Sequence, residues 1–295
     1  MVTITRTTRK PPAAQDKPKV IPHSRTVLRV SVKEGALAGV EQYGSVHTRG
    51  ESTLRMVLDA LIGLNMAGHK ISKELIIHPN DRPVKDLIEP RHFYYCVAHE
   101  KDIGNVIPDF IFDAWPQSGI LNYRDTQAEI IARGRQPYED ERLFWVGSFT
   151  HHNRMVFADI AKRNKQKILA MTTGVSAVLE SKNYVTLPDH ARYKYLIDIE
   201  GVGYSGRIPF LLATQRLLFL QERKWKGFYH FDLQPYKHFI PVKNDLSDLM
   251  AQLEFVESQG SGFYNKITDN ALAFVENKLS YPKVIEALQQ KILAI

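Results

Sequence analysis

Hydrophobic positions along the chain alternate between short unbroken runs and longer runs at helical spacing. The short β-branched and aliphatic runs, each followed by turn residues, predict buried strands; they lie at 27–32, 74–78, 94–98, 107–112, 143–146, 167–172, 195–199 and 217–220. Apolar residues spaced three and four apart predict helices, at 54–62, 155–164, 209–214, 245–259, 270–278 and 282–294. Repeated βα units in two halves predict an α/β fold of two Rossmann-like domains facing across a cleft.

The length of the chain also favours two domains, because 295 residues are about twice a typical domain. We predict an arm at 1–25 and an N-terminal domain at 26–140. A C-terminal domain is expected at 141–280, followed by a C-terminal helix at 281–295. No internal repeat or low-complexity tract argues for another organisation.

The positive charge is concentrated at the N-terminus. Residues 1–30 carry a net charge of +6 out of the total of +7, so the rest of the chain is nearly neutral. Four prolines and little apolar pattern predict a flexible basic arm that touches an anionic membrane surface or nucleic acid, or is simply a solvated tail. The folded body does not have the charge of a nucleic-acid reader.

Composition indicates a globular protein, since 44% of residues are hydrophobic and 24% are charged. The longest apolar window, 208–221, is interrupted by Arg216, so a membrane span is not expected. A single cysteine, Cys96, cannot form an internal disulfide and predicts a reducing compartment, which we take as the cytoplasm.

The sharpest local motif is G-x-G-x-x-G at 201–206, which follows a predicted strand and precedes a predicted helix. Its glycines predict a turn that lets the backbone approach an anion. Arg207 in the first helical turn opposes the helix dipole by roughly 0.3–1 kcal/mol, which a bound diphosphate would relieve. Glu222, after the next strand, is a candidate for binding ribose hydroxyls. By itself the motif also fits a dinucleotide-binding oxidoreductase built on Gly201, Gly203, Gly206 and Glu222.

The segment 189–207, Asp-His-Ala-Arg-Tyr-Lys-Tyr-Leu-Ile-Asp-Ile-Glu-Gly-Val-Gly-Tyr-Ser-Gly-Arg, resembles the signature of glycosyltransferase family 90. That family includes protein O-glucosyltransferases, capsule xylosyltransferases and bacterial lipopolysaccharide-modifying enzymes. Similar segments occur at 144–148 with Arg154, at 107–110 with Phe112 and Trp115, and at 80–84. The likeness runs in order through about residues 50–285, and the compact chain fits a bacterial or algal-virus member.

The resemblance implies a GT-B fold and inverting transfer of a sugar from a UDP-sugar to a hydroxyl of a glycan, with no required cofactor and no metal site. It makes Asp81 the catalytic base and Asp109, Phe112 and Trp115 the sugar and acceptor loop. The UDP-sugar ligands that it implies, together with Glu222, are Gly147, Ser148, Arg154, Val202, Gly203, Tyr204, Ser205, Gly206 and Arg207. These roles suit the chemistry, because the acceptor hydroxyl must lose a proton and the departing diphosphate needs cations and N–H donors.

Several alternatives stay open at this point. Asp113 is the rival base and Asp109 a weaker one, and residue 149 is Phe where the family commonly has Arg. The adjacent pair His151 and His152 does not have the spacing of a metal site, so a divalent metal is possible but not implied. UDP-xylose is favoured slightly over UDP-glucose as the donor. A nicotinamide-dependent oxidoreductase and a noncatalytic glycan- or nucleic-acid-binding protein that uses the basic arm are the competing function classes.

Overall fold

The computed structural model describes residues 3–6, 26–44, 48–83, 87–174 and 178–295. The strands are β1 (Thr3–Arg6), β2 (Val27–Lys33), β3 (Ala36–Tyr43), β4 (Lys73–His78), β5 (His92–Tyr94), β6 (Asp140–Gly147), β7 (Ile168–Thr172), β8 (Tyr193–Asp198), β9 (Leu217–Gln221) and β10 (Ile240–Val242). The helices are α1 (Thr48–Met66), α2 (Tyr123–Gly134), α3 (His152–Arg163), α4 (Ile208–Ala213), α5 (Leu249–Glu257), α6 (Ser261–Phe274) and α7 (Tyr281–Ala294). The predicted basic arm lies outside the described residues except for β1. None of the helices in the described ranges is long and apolar enough to cross a membrane.

The chain forms two compact units whose boundary differs from the predicted one at 140. Unit 1 comprises 1–115, 225–228 and 282–295, and unit 2 comprises 116–224 and 229–281. Helix α2 belongs to unit 2 because it packs on α4 and on the turn Pro188–Arg192. Helix α7 is not a separate element, since the Lys73 ammonium of β4 donates to the carbonyls of Ile292 and Leu293 at 3.3 and 3.4 Å within unit 1.

Unit 1 contains a mixed sheet rather than the parallel sheet of a Rossmann-like domain. Its described strands follow the order β1-β3-β2-β4-β5, in which β2 pairs antiparallel with both β3 and β4. The β2–β3 hairpin turns at Glu34 and Gly35, whose φ angles of 49° and 76° match the type I′ turn that suits twisted strands. The Rossmann-like prediction for this half is therefore wrong for its sheet, and the GT-B arrangement stays a prediction.

The predicted strand at 107–112 is a turn in the structure. Pro108 has no N–H to give to a strand ladder, and the Asp109 carboxylate accepts from the Ile111 N–H at 2.9 Å. That contact caps the short 3-10 helix Phe110–Phe112. The apolar side chains of the segment are buried as predicted, but a helical turn buries them instead of a sheet.

Unit 2 confirms the α/β prediction, because its described strands form a wholly parallel sheet in the order β10-β9-β8-β6-β7. The chain passes from β6 to β7 on one side and then returns to place β8 on the other side of β6. The sheet therefore reverses its direction of growth between β6 and β8. In open α/β sheets, ligands bind outside the carboxyl ends of the strands at such a reversal.

A buried arginine joins α2 to this sheet. The Arg216 guanidinium donates to the carbonyl of Ala191 at 2.7 Å and to those of Gly134 and Gln136 at 3.0 and 2.5 Å. Gly134 ends α2, where an added Cβ would lie 2.4 Å from the Thr214 carbonyl oxygen. The close backbone approach and the arginine together fix the C-terminal end of α2.

Replacing Arg216 with methionine is expected to lower the free energy of unfolding by about 3 kcal/mol, because several buried carbonyls lose their donor at once. Chemical denaturation followed by circular dichroism measures the change. Arg192→Met is the matched control, since Arg192 forms an exposed ion pair with Glu139 and its loss should change stability little. Equal effects of the two substitutions would contradict the structural role of Arg216.

Two histidines are buried in the neutral form. Burial lowers the pKa of His190, at the start of β8, to about 4. Burial, followed by the neighbouring His92, lowers the pKa of His78, at the end of β4, to about 3. His190 contacts the Thr186 carbonyl through Nδ1 at 2.8 Å, and His78 contacts His92 at 3.0 Å.

The free energy of unfolding is expected to fall as the pH drops below about 6.5. In the unfolded chain each histidine binds a proton near that pH, whereas in the folded protein it stays neutral until about pH 4 or lower. The slope is about 1.4 kcal/mol per pH unit for each histidine. Denaturation curves between pH 7 and pH 5 measure it. His190→Gln should flatten the slope, whereas His69→Gln, at an exposed position, should not; an unchanged slope in His190→Gln would refute the assignment.

Candidate functional site

The topological reversal in unit 2 brings two loops to the same edge of the sheet. Gly147 ends β6 and Ser148 begins the loop after it, and the loop after β8 contains the segment 201–207. All the predicted donor-site residues except Glu222 thus belong to this strand end, to these two loops or to the helices that they lead into. This is the carboxyl edge of the parallel sheet, where doubly wound folds place their ligands.

The side chain that organises this edge is Asp198, the last residue of β8, which is completely buried. One carboxylate oxygen accepts from the Ser205 hydroxyl and from the Arg207 guanidinium, each at 2.9 Å. The other accepts from Arg223 at 2.7 Å. Burial by itself would raise the pKa of Asp198, but Arg223 and Arg207 outweigh it and hold the pKa below its usual value.

This carboxylate gives Arg207 a partner within the protein, contrary to the expectation that the position calls for a bound diphosphate. Arg207 also donates to the Val146 carbonyl at 2.5 Å, so it links the ends of β6 and β8. Helix α4 spans only six residues, which leaves little dipole for Arg207 to oppose. Arg207 contacts Val146 and Asp198 through its two terminal guanidinium nitrogens. Its Nε has no hydrogen bond among the described residues.

Arg154 in α3 connects the same two loops through backbone carbonyls. It donates to the carbonyls of Ser148 at 2.8 Å, Glu200 at 3.0 Å and Ile199 at 3.1 Å. Gly201 leaves room for this guanidinium, because an added Cβ would lie 3.1 Å from its Nη2. The first glycine of the motif therefore accommodates an arginine side chain, and Arg154 contributes its charge to the edge while its donors hold the loops.

The cationic charge of this edge exceeds its anionic charge. Burial, and next to it the charge of Arg207, lowers the pKa of Arg154 to about 10, which leaves the group protonated at neutral pH. Arg154, Arg207 and Arg223 thus face two buried carboxylates, Asp198 and Glu200, which leaves one positive charge in excess. A cationic excess at a ligand-binding edge favours an anionic ligand.

Glu200 is the second buried carboxylate, and amide groups satisfy it. Its Oε1 accepts from the Asn244 and Asn153 side chains at 2.7 and 3.2 Å. Its backbone N–H donates to the Gln221 side chain at 2.9 Å. These contacts connect the ends of β8, β9 and β10. The polar network therefore continues along the carboxyl edge of the sheet from the reversal towards β10.

The remaining predicted donor residues divide into buried and accessible ones. The Ser148 hydroxyl donates to the Gly174 carbonyl at 2.6 Å, and Ser205 and Gly203 are buried. Val202 is 48% exposed, and Phe149, at the position where the family commonly has arginine, is 47% exposed. The two loops thus present apolar side chains to solvent beside the buried charges.

Glu222, predicted to bind ribose, has an exposed side chain for which the structure shows no hydrogen bond among the described residues; its carbonyl accepts from Asn244 at 2.7 Å. Strand alternation explains the difference, because Gln221 points into the network and Glu222 points away from it. The carboxylate that lies in the network beside Gln221 is that of Glu200, which the spacing rule for dinucleotide sites does not select.

In unit 1, the predicted base Asp81 follows β4 and is 44% exposed at its side chain. Its Oδ1 accepts from Arg49 of α1 at 2.7 Å. The rival Asp113 is only 18% exposed, and Arg55 contacts one of its oxygens through two nitrogens, at 2.6 and 2.8 Å. Asp109 is buried and caps a turn. Asp81 is therefore the most accessible of the three carboxylates.

The aromatic residues predicted to contact sugar are mainly packing groups. Phe112 is fully buried, with its ring edge-on to Phe228 at 5.5 Å between centroids. Trp115 is partly exposed and lies edge-on to Phe110 at 5.6 Å. Of the two rings, Trp115 alone has the exposure that a sugar face needs.

Sequence reasoning missed Asp198, Glu200, Arg223 and the two asparagines of the network. Asp198 and Glu200 stand inside the quoted signature, on either side of Ile199, but the strand and glycine patterns assign neither of them a role in the site. An acidic residue at the buried end of a parallel strand was the available signal, because an unpaired buried charge is costly. Nothing in the sequence paired Arg223 with Asp198, since 25 positions separate them. Within the described ranges, no three potential metal-ligating side chains lie together.

Comparison with known proteins agrees with the resemblance. A segment of 126 residues is 32% identical to protein O-glucosyltransferase 1 of Homo sapiens and covers 43% of this chain and 31% of that protein. A segment of 123 residues is 26% identical to human protein O-glucosyltransferase 3, covering 40% and 24% of the two chains. These segments thus span about a third or less of the length of the curated relatives.

Among solved structures, a glycosyltransferase from Rickettsia africae ESF-5 aligns with a TM-score of 0.34 at 12% identity, covering 58% of this chain and 45% of that one, a likeness too low to carry an argument. The family model described as glycosyl transferase family 90 matches residues 16–290. With a match over nearly its whole length, the chain belongs to glycosyl transferase family 90.

Proposed function

We propose that this protein is an inverting glycosyltransferase that moves a sugar from a UDP-sugar to a hydroxyl of a glycan, with xylose favoured and glucose next. The donor binds at the carboxyl edge of the unit 2 sheet, and Asp81 in unit 1 is the general base. The observation that carries the proposal is the excess of positive charge at the reversal between β6 and β8. Family membership and the O-glucosyltransferase relatives support glycosyl transfer.

The chemistry of the reaction calls for that charge. As the bond between the anomeric carbon and the β-phosphate oxygen breaks, negative charge builds up on the diphosphate. Cations that are already in place stabilise this charge without reorganisation. Arg207 is the direct ligand that we assign, because it is partly exposed and uses only its terminal nitrogens on protein acceptors. Arg154 acts through its charge.

The exposed apolar side chains of the same two loops suit the rest of the donor. Val202 and Phe149 are each about half exposed, which is unusual for large apolar groups beside buried charges. Apolar surface with a few placed polar groups is the usual composition of a nucleotide pocket. We assign this surface to the uracil and ribose, and the backbone of 147–148 and 203–206 to the diphosphate.

The acceptor hydroxyl must lose a proton as it attacks the anomeric carbon. Asp81 suits this task better than its rivals, since it is the most exposed of the three candidate carboxylates. A single nitrogen of Arg49 contacts it, and among the described residues its Oδ2 has no hydrogen-bond partner. Asp113 and Asp109 are more buried and are held by stronger local contacts.

Calorimetric titration tests the donor assignment, using UDP, UDP-xylose, UDP-glucose and NADH, each with and without Mn²⁺. Saturable binding of UDP and tighter binding of one sugar conjugate would support the proposal and identify the donor. Binding of NADH without UDP would instead favour the oxidoreductase alternative. No binding of any nucleotide would overturn the proposal.

Arg207→Ala is expected to weaken UDP binding about tenfold or more, because a charge-assisted contact to the diphosphate is lost. Arg223 remains to hold Asp198, so the fold should persist. The matched control is Arg142→Ala, which removes an arginine paired with Asp140 at 2.6 Å in β6 of the same unit. Similar UDP affinities in the two variants, measured by calorimetry, would exclude Arg207 from the donor site.

Asp81→Asn is expected to retain UDP affinity and lose about 10²–10⁴-fold in turnover, because the amide cannot take up the acceptor proton. Turnover is measured as UDP released from the donor that binds, with a panel of oligosaccharide acceptors. Wild-type turnover in this variant would move the base to Asp113 or Asp109, which the corresponding asparagine variants would then separate.

A further inference from the structure

The contact between Arg49 and Asp81 is the strongest fixed interaction of the proposed base. The Arg49 Nη1 lies 2.7 Å from the Asp81 Oδ1, and the two side chains are 27% and 44% exposed. We infer that Arg49 is a positioning residue, which orients the Asp81 carboxylate so that its Oδ2 is presented to the acceptor hydroxyl. This inference rests on the proposed function of Asp81.

Arg49 is itself held in place, which a positioning residue requires. It lies in the first turn of α1, and its guanidinium lies over the Phe110 ring at 5.0 Å from the centroid. Phe110 is buried, with Tyr95 on one side and Trp115 edge-on to it. A planar guanidinium held over a buried ring presents its N–H edge in one direction. In this structure that edge meets Asp81.

The backbone around Asp81 is also fixed. The Cys96 thiol donates to the Asp81 carbonyl at 3.2 Å. The preceding residue, Asn80, exchanges two hydrogen bonds with Thr26, at 2.9 and 3.3 Å. With both the main chain and Oδ1 held, the carboxylate has one preferred orientation, and its Oδ2 is the oxygen that remains for a substrate proton.

The arginine has two opposite effects on this base. Its contact with Oδ1 holds the carboxylate in the orientation that leaves Oδ2 for the substrate. Its charge opposes protonation during the reaction, when the proton of the acceptor hydroxyl passes to Oδ2. In that step the acceptor oxygen bonds to the anomeric carbon, and UDP leaves with the electron pair of the broken bond. Because only one nitrogen of Arg49 contacts one oxygen of Asp81, the carboxylate stays oriented while the opposition to its protonation is limited.

Helix α1 supplies a built-in comparison. Arg55, on the same helix, contacts Asp113 through two nitrogens at 2.6 and 2.8 Å. The two pairs have the same chemistry and come from the same helix, but only Asp81 is proposed to accept the proton. The substitutions Arg49→Gln and Arg55→Gln therefore remove equivalent charges, with different expected effects on kcat.

The test is turnover, measured as UDP release, together with the Kd for UDP and thermal stability, for the wild type, Arg49→Gln, Arg49→Lys and Arg55→Gln. In Arg49→Gln we expect kcat to fall at least tenfold, with the Kd for UDP and the thermal stability unchanged. Arg49→Lys keeps the charge without the planar guanidinium and should recover only part of kcat. Arg55→Gln should leave kcat unchanged.

Three results would overturn the inference. An unchanged kcat in Arg49→Gln, or a fall in kcat matched by lowered thermal stability, would mean that Arg49 is only structural. A tenfold fall in kcat in Arg55→Gln instead would make Asp113 the base. Full kcat in Arg49→Lys would show that the arginine supplies charge and not orientation. Absence of UDP binding in the wild type would instead refute the proposed function, and this inference with it, so the two failures are distinguishable.

Discussion

The carboxylate of Asp198 is the interaction on which the candidate donor site depends. A fully buried charge at the end of a central strand is costly unless it is paired and hydrogen-bonded. Here two arginines and a serine supply those partners, and they come from the end of β9 and the loop after β8. The same contacts that satisfy the carboxylate gather the arginines at the reversal of the sheet. The hydrogen bonds that stabilise the buried Asp198 carboxylate are therefore the same ones that place the arginines of the candidate donor site.

This arrangement explains why the edge carries an excess of positive charge rather than being neutral. Asp198 is shared by Arg207 and Arg223, and Arg154 uses backbone carbonyls instead of a carboxylate. Three guanidinium groups are thus held by fewer negative charges than would cancel them. The carbonyl dipoles fix Arg154 in position without neutralising it. A site of this kind keeps its charge in place before a ligand arrives, as electrostatic preorganisation requires.

The sequence predicted the elements of unit 2 better than those of unit 1, and the reason is local. Strands such as β8 and β9 are unbroken apolar runs because both faces of a parallel sheet are buried, so periodicity finds them directly. In unit 1, β3 alternates exposed and buried residues around Gly39 and was missed. The run at 107–112 is apolar, but Pro108 and Asp109 turn it into a helical turn. The apolar pattern therefore predicted correctly that this run is buried, but Pro108 and Asp109 determine its backbone conformation.

The site was predictable to the extent that its residues are neighbours in sequence. The segment 201–207 and the pair Gly147–Ser148 were found because short motifs bring them together. Arg223 with Asp198, and Asn244 with Glu200, are joined only by the parallel pairing of β8, β9 and β10. Pairings of this type carry no local signal, because helix α4 separates β8 from β9 and a long connection with one 3-10 turn separates β9 from β10. Glu222 shows where a spacing rule fails. The rule selected the correct strand end, but the side chain of Glu222 is exposed whereas that of Gln221 lies in the network.

Both proposed functional groups show the same physical compromise. Arg207 must be held by Asp198 to occupy its position, yet a complete neutralisation would remove its attraction for a diphosphate; sharing Asp198 with Arg223 leaves part of that attraction. Asp81 must be held by Arg49 to be oriented, yet a two-nitrogen contact like that on Asp113 would oppose protonation more strongly. In each case the functional member makes the weaker or the shared contact. Partial pairing is therefore the feature that separates the candidate functional charges of this protein from its purely structural ones.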